Sequence, residues 1–233
     1  MKTKIIELKE TDSTNEYCKR LDAKEDVIVI AERQITGKGT KGRSFSSEEG
    51  GLYLSLMKTY KNFDRSQTYK IMINACVAVC KTLERFGIKP TVKWANDVLV
   101  NGRKICGTLI ENRLDSGSGL TSVVGIGINV NNALPEELEK IATTMRQERG
   151  KPVSLKAVRS RLIKNLGKEY TVGDYKSYID WFGQEVYLDG GGVKTPAVAL
   201  DVDESGNLVC NVAGEIKIIS SAEISLRFKC NSI

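Results

Sequence analysis

The sequence predicts an α+β fold with a small antiparallel barrel appended to it. Three observations carry that prediction. Strand-like runs dominate up to residue 129, interrupted by one long amphipathic helix. A helical pattern then occupies roughly 135–182. At Gly183 the pattern changes again, to short alternating strands separated by turns such as Gly190-Gly191-Gly192, Asp203-Glu204-Ser205-Gly206-Asn207 and Ala213-Gly214-Glu215. The boundary is therefore set at 182/183, giving domains 1–182 and 183–233.

Taken in order, residues 4–9 alternate as a strand, and Asp12-Ser13-Thr14-Asn15-Glu16 opens a short helix to about Leu21, with Ser13 and Glu16 spaced as a capping box. Val27–Gln34 is a β-branched strand that delivers the chain to Gly37-Lys38-Gly39-Thr40-Lys41-Gly42-Arg43. Glycines and cations interleaved in this way suit a carboxylate or phosphate. Leu52–Met57 alternates as a strand. Asp64 opens a helix whose stripe of Ile71, Ala75, Cys76, Val79, Leu83 and Phe86 belongs in a core. Thr91–Val100 reads as one strand containing Lys93-Trp94-Ala95-Asn96-Asp97. Asn101-Gly102 then forms a type I′ hairpin turn, and the return strand runs from Arg103 to Glu111. After a turn at Asp115–Gly119, Ser122–Asn129 is apolar on both faces and so central in its sheet, with glycines where something approaches the backbone. Helices are expected at 135–149, 154–170 and 174–182.

Composition removes several function classes. The chain has 41% apolar and 27% charged residues, ordinary for a globular protein, and no run approaches the roughly 18 apolar residues of a membrane span. No signal peptide is read at the N-terminus, so a cytoplasmic location is expected. The six cysteines lack a framework spacing and read as reduced, buried thiols. There is no histidine, which excludes Ser-His-Asp and Cys-His catalysis and histidine-based metal sites. A net charge of +6 leans mildly toward anionic ligands.

Gly37-x-Gly39-x-x-Gly42 fits the dinucleotide fingerprint literally, but no apolar helical period follows its third glycine. The Walker pattern fails because Glu32 stands where its first glycine is required. What survives is a combination in order: Ser13-Thr14-Asn15, the loop 37–43, Lys93-Trp94-x-Asn96-Asp97, Gly102-Arg103-Lys104-Ile105-x-Gly107 and Gly125-Ile126-Gly127-Ile128-Asn129. Together these resemble the biotin protein ligase family, the biotin–[acetyl-CoA-carboxylase] ligases, from about residue 8 to 131. The likeness continues into Gly214-Glu215 and Glu223–Arg227.

That resemblance implies a mixed-sheet catalytic domain, like that of class II aminoacyl-tRNA synthetases, and an SH3-like C-terminal barrel. It implies ATP and biotin as substrates with Mg²⁺, and a lysine of a biotin carboxyl carrier domain as acceptor. Ser13, Thr14 and Gln34 are expected to hydrogen-bond the biotin ring, supported by Asn15. Lys38, Gly39 and Thr40 would line its carboxylate end. Lys104 would bridge carboxylate and α-phosphate as the leading catalytic residue, with Arg43 on phosphate and Phe45 on adenine. Asn96, Asp97 and Asn129 would orient nucleotide and metal, Asp97 being the candidate metal ligand. Gly107, Gly125 and Gly127 would let the ligand lie against the sheet. The chain opens directly on catalytic-domain motifs, so no DNA binding is expected, and a homodimer through a sheet edge stays open. The family's loop reads GRGRxGRxW. Here Lys38 loses a guanidinium fork, Thr40 loses a cation and Phe45 replaces tryptophan, which together imply a looser hold on the acyl-adenylate. Lipoate or octanoate ligation is the nearest rival, but its motif requires a histidine. A nucleic-acid-binding protein is the rival from another class.

Overall fold

The computed structural model describes residues 3–21, 25–61, 65–115, 119–190, 192–220 and 225–228. Its first part is a mixed sheet. The elements run β1 (Lys4–Thr11), α1 (Thr14–Lys19), β2 (Val27–Gln34), β3 (Leu52–Tyr60), α2 (Arg65–Arg85), β4 (Thr91–Lys93), β5 (Asp97–Val100), β6 (Arg103–Asp115) and β7 (Gly119–Ile128). The sheet order is β1-β2-β3-β7-β6-β5-β4, with β1 and β2 parallel and the other neighbours antiparallel. The expectation for β7 holds: it is the middle strand of seven.

Strand alternation assigns the two faces. Ile28, Ile30, Leu54, Val124, Ile126 and Ile128 point to the face covered by α2, where Ala75, Cys76, Val79 and Leu83 are buried. Val27, Val29, Met57 and Val123 point the other way, onto Cys18 of α1. Because α1 is only six residues long, it covers part of its face and leaves the rest for a cleft.

Several expected elements differ. The stretch 91–100 is two strands, β4 and β5, paired with each other (Val92↔Val98, Lys93↔Asp97), so Trp94-Ala95-Asn96 is the bend between them. Trp94 is core, and its indole N–H donates to the Gly206 carbonyl at 3.0 Å. The 135–149 helix is broken. A single 3₁₀ turn at Glu136–Leu138 is followed by an extended piece that bonds Lys104, with α3 (Met145–Arg149) only thereafter. The extended piece spends its backbone groups on β6, where Lys104 N–H donates to Ile141 and Thr143 N–H to Lys104. Next come α4 (Leu155–Leu166) and α5 (Val172–Lys176), both shorter than their patterns suggest. Ser13 precedes α1 as expected, but its side chain caps nothing, and Glu16 turns outward to Lys19 and Lys38. The Asn101-Gly102 turn holds, with φ of 50° and 75°. Asp64, the tip of the 115–119 turn, Gly191, Glu223 and Ile224 lie outside the described residues.

The C-terminal strands are β8 (Glu185–Gly190), β9 (Val193–Val202), β10 (Leu208–Val212), β11 (Glu215–Ile219) and β12 (Ser225–Phe228). They form an antiparallel sheet in the order β11-β10-β9-β8-β12. Cys18, Cys76, Cys80, Cys106 and Cys210 are free and buried, as their scattered spacing suggests. Burial alone pushes the Cys18 and Cys210 thiols up, to about 12 and about 11.

Candidate active site

On the α1 side of the sheet lies a narrow cleft between α1, the end of β2, the glycine-rich loop and strands β6 and β7. Its floor follows from strand register. Tyr53, Gly127, Gly107 and Asp97 stand opposite one another across β3, β7, β6 and β5, and Ser55, Gly125 and Leu109 form the adjoining row. One wall is Ser13-Thr14-Asn15, and Gln34 closes the end of β2.

The glycine-rich loop is a miniature hairpin over this floor. Lys38 and Ser44 bridge, Gly39 N–H donates to Arg43 and Phe45 N–H to Gly37. Its tip places Lys41 and Gly42 consecutively in the left-handed region, at φ 57° and 73°, which a glycine tolerates without strain. Gly37 serves close approach instead: a Cβ there would strike the Phe45 carbonyl and Ser47 Oγ.

Lys104 reaches the cleft because of a register shift. Between β5 and β6, Val98 faces Cys106 but Leu99 faces Lys104, so Ile105 is an extra residue in β6. That bulge re-aims Lys104 onto the side of Gly107, while Cys106 stays in the core. The Lys104 ammonium sits 2.6 Å from Asp97 Oδ1 and 5.8 Å from the centre of the Phe45 ring. On the opposite rim, Lys38 pairs with Glu16 at 2.7 Å. The Lys38 and Lys19 ammoniums hold the Glu16 carboxyl below its ordinary range.

A buried hydrogen-bond chain fixes the wall. The Gln34 carbonyl oxygen accepts from Thr14 N–H (2.8 Å) and Thr14 Oγ1 (3.1 Å), and its amide donates to Ser47 Oγ (2.8 Å). Ser47 in turn donates to the Phe45 carbonyl at 3.0 Å. This sets the orientation of the Gln34 carboxamide and ties it to the loop.

Thirteen residues expected at the site line this cleft: Ser13, Thr14, Asn15, Gln34, Lys38, Gly39, Thr40, Phe45, Asn96, Lys104, Gly107, Gly125 and Gly127. Three do not. Asp97 stands just behind Lys104. Asn129 is buried beside the cleft and accepts from Asn132. Arg43 is turned back on its own loop, donating to the Thr40 carbonyl and hydroxyl at 3.2 and 3.0 Å. The floor also differs from an open shelf. The Asn15 carboxamide covers Gly125, and the Phe45 ring lies against Gly127, within 2.6 Å of where a Cβ would be. Sequence reading missed Ser47, Ser55, Thr108 and Glu111. The one available signal was Ser55, a polar residue inside the apolar stretch Leu52–Met57 of β3.

A glycine-floored cleft with Lys38 and Lys104 at its rims and a wall of fixed amide and hydroxyl groups suits a ligand with polar hydrogen-bonding groups and an anionic end. The chain belongs to the biotin/lipoate A/B protein ligase family, whose profile matches residues 6–131. It is 31% identical to the bifunctional ligase/repressor BirA of Bacillus subtilis (strain 168), over 94% of this chain and 72% of that protein. It is 26% identical to the biotin–[acetyl-CoA-carboxylase] ligase of Mycobacterium tuberculosis, over 85% of this chain and 78% of that one. Among solved structures, the biotin protein ligase from Aquifex aeolicus in complex with biotin and ATP superposes with a TM-score of 0.82 at 34% identity, covering 97% of this chain and 99% of that one.

Proposed function

We propose that this protein is a biotin–[acetyl-CoA-carboxylase] ligase, activating biotin as biotinyl-5′-AMP and transferring it to a lysine of a biotin carboxyl carrier domain. The observation that carries the reading is the convergence of Ser13, Thr14, Gln34, the 37–45 loop and Lys104 on one glycine-floored cleft. In the first step a biotin carboxylate oxygen attacks the α-phosphorus of ATP and pyrophosphate leaves. In the second, the acceptor amine attacks the acyl carbon, AMP leaves and the amine gives up a proton.

Each residue has a task in that scheme. Thr14 and Gln34, locked to each other, present fixed polar groups to the ring. Lys104, between the Asp97 carboxylate and the Phe45 face, is placed to hold the carboxylate against the α-phosphate and to balance charge that grows on phosphorus oxygens. Lys38 offers a second cation at the carboxylate end, Phe45 a face for adenine, and Asn96 and Asn129 amides for the nucleotide. Arg43 reaches phosphate by exchanging its Thr40 contacts for the ligand.

Among the described residues no three carboxylate, histidine or cysteine groups cluster as a metal site. Mg²⁺ is commonly held by one or two carboxylates together with substrate phosphates, and the carboxylate nearest Lys104 is Asp97, which now serves that lysine. Asp97 is the residue that would hold it, and the ion would neutralise triphosphate charge. We further assign residues 1–182 to the catalytic domain and 183–233 to an SH3-like barrel, consistent with the last strand of the large sheet ending at Ile128 and the small sheet beginning at Glu185. No helix among the described residues is long and apolar enough to cross a membrane. Phe228, a barrel aromatic that nucleic-acid stacking would use, packs edge-on against Trp181 at 5.7 Å, which counts against the nucleic-acid reading.

Biotin-dependent ATP–pyrophosphate exchange, with lipoate as control and Lys104→Ala as negative, tests the assignment. Exchange with biotin and not with lipoate is expected; no exchange by the unmodified protein with biotin would overturn it.

A further inference from the structure

Asn15 lines the cleft, yet its carboxamide is fully engaged inside the protein. Its Oδ1 accepts from Ser55 Oγ at 2.6 Å, and its Nδ2 donates to Glu111 Oε2 at 2.8 Å and to the Leu109 carbonyl at 3.4 Å. The group lies flat over Gly125, which faces Ser55 on one side and Leu109 on the other. Three strands therefore grip one side chain of the α1 N-terminus. Ser55 is completely buried and also reaches Thr14 Oγ1, at 2.7 Å. Thr14 in turn holds Gln34. The single Ser55 proton is needed by Asn15 Oδ1, which can only accept, so removing the hydroxyl leaves that buried oxygen without its donor. Glu111 is half-buried and exposes its other oxygen to Lys19.

We propose that Ser55 and Glu111, neither of which lines the cleft, are positioning residues for biotin recognition: they clamp the Asn15 carboxamide from opposite ends and thereby fix Thr14 and Gln34. The inference rests on the biotin ligase reading and adds two residues to it. Because the clamp acts first on the ring-binding wall and reaches the loop only through the Gln34–Ser47 and Lys19–Glu16–Lys38 contacts, its loss raises the KM for biotin well above any rise in the KM for ATP.

The test is biotin-dependent ATP–pyrophosphate exchange on the full chain, together with the Kd for biotin, for Ser55→Ala, Glu111→Leu and Glu111→Gln. Ser55→Ala and Glu111→Leu are expected to raise both biotin constants about tenfold, the scale of a lost buried hydrogen bond. Glu111→Gln, which keeps an oxygen acceptor for Asn15 and loses only the charge facing Lys19, is expected to stay within about threefold of wild type. Should Ser55→Ala fail to fold, the two Glu111 variants decide, since that side chain is only half-buried. Wild-type biotin constants in Glu111→Leu or in a folded Ser55→Ala overturn the proposal. So does an equal rise in the KM for ATP, or a Glu111→Gln as impaired as Glu111→Leu, which would make the Lys19 ion pair the relevant contact. An inactive wild type would instead count against the ligase assignment itself.

Discussion

Two floor glycines stand two residues apart on β7, and replacing each by alanine separates two kinds of close approach. At Gly125 an added Cβ falls 3.0 and 3.1 Å from the Asn15 amide carbon and nitrogen, and closer still to Oδ1. Asn15 cannot retreat without leaving Ser55, Glu111 and Leu109. Overpacking costs about 1–3 kcal/mol, and a stranded buried polar group costs about as much again. Stiffening the unfolded chain returns up to ~1 kcal/mol. Gly125→Ala should therefore lose about 2–4 kcal/mol, or roughly 5–15 °C in Tm for a chain of this size. At Gly127 the three atoms nearest the added Cβ all belong to the Phe45 ring, the first at 2.6 Å. That ring is a half-buried side chain on a loop and can swing aside. Gly127→Ala should stay within about 1 kcal/mol of wild type, because the unfolded-state gain offsets the displacement. Its effect belongs in the substrate constants, since Phe45 is moved. Calorimetry on both variants, with exchange kinetics alongside, checks this. A wild-type Tm for Gly125→Ala, or equal losses for the two, would refute the claim that a pinned carboxamide distinguishes these positions.

Lys104→Ala should reduce exchange about 10²–10³-fold at saturating biotin and ATP, the usual effect of removing one fixed group that stabilises transition-state charge; steady-state kcat measures it, and a loss confined to KM would mean that Lys104 only binds. Thr40→Arg restores a cation at the tip of the loop and removes the hydroxyl that holds Arg43; it should slow release of biotinyl-AMP, measured as adenylate appearing in the medium, and unchanged leakage would dispose of the idea. The Glu16 carboxyl is held below its ordinary range chiefly by Lys38 and then by Lys19. A group so depressed stabilises the fold above the ordinary carboxylate pKa of about 4.3 and loses that contribution as the pH falls through its own lower value. The urea midpoint should therefore drop between pH 5 and 3 by more in the wild type than in Glu16→Gln, and parallel pH profiles would contradict the Glu16–Lys38 pairing.

Much of this molecule is set by local pattern. The β-branched run of β2, the alternation of β3, the α2 stripe and the Asn101-Gly102 turn each state their structure within a few residues, because side-chain period and turn chemistry act locally. The residue types around the cleft were also legible, since five motifs in order match a known family. Tertiary structure decided the rest. One extra residue in β6, visible only against β5, turns Lys104 from a core-facing or edge position into the cleft. The 135–149 segment has helical spacing, but Lys104 offers it backbone partners and draws residues 141–143 into extended pairing. Ser13 and Glu16 have the spacing of a capping box, yet Glu16 finds two lysines, one of them Lys38 across 22 positions of chain. Ser55 and Glu111 lie 40 and 96 residues from the asparagine they grip. The common cause is separation along the chain: a contact between distant segments depends on register and on competing partners, neither of which is written in either segment alone.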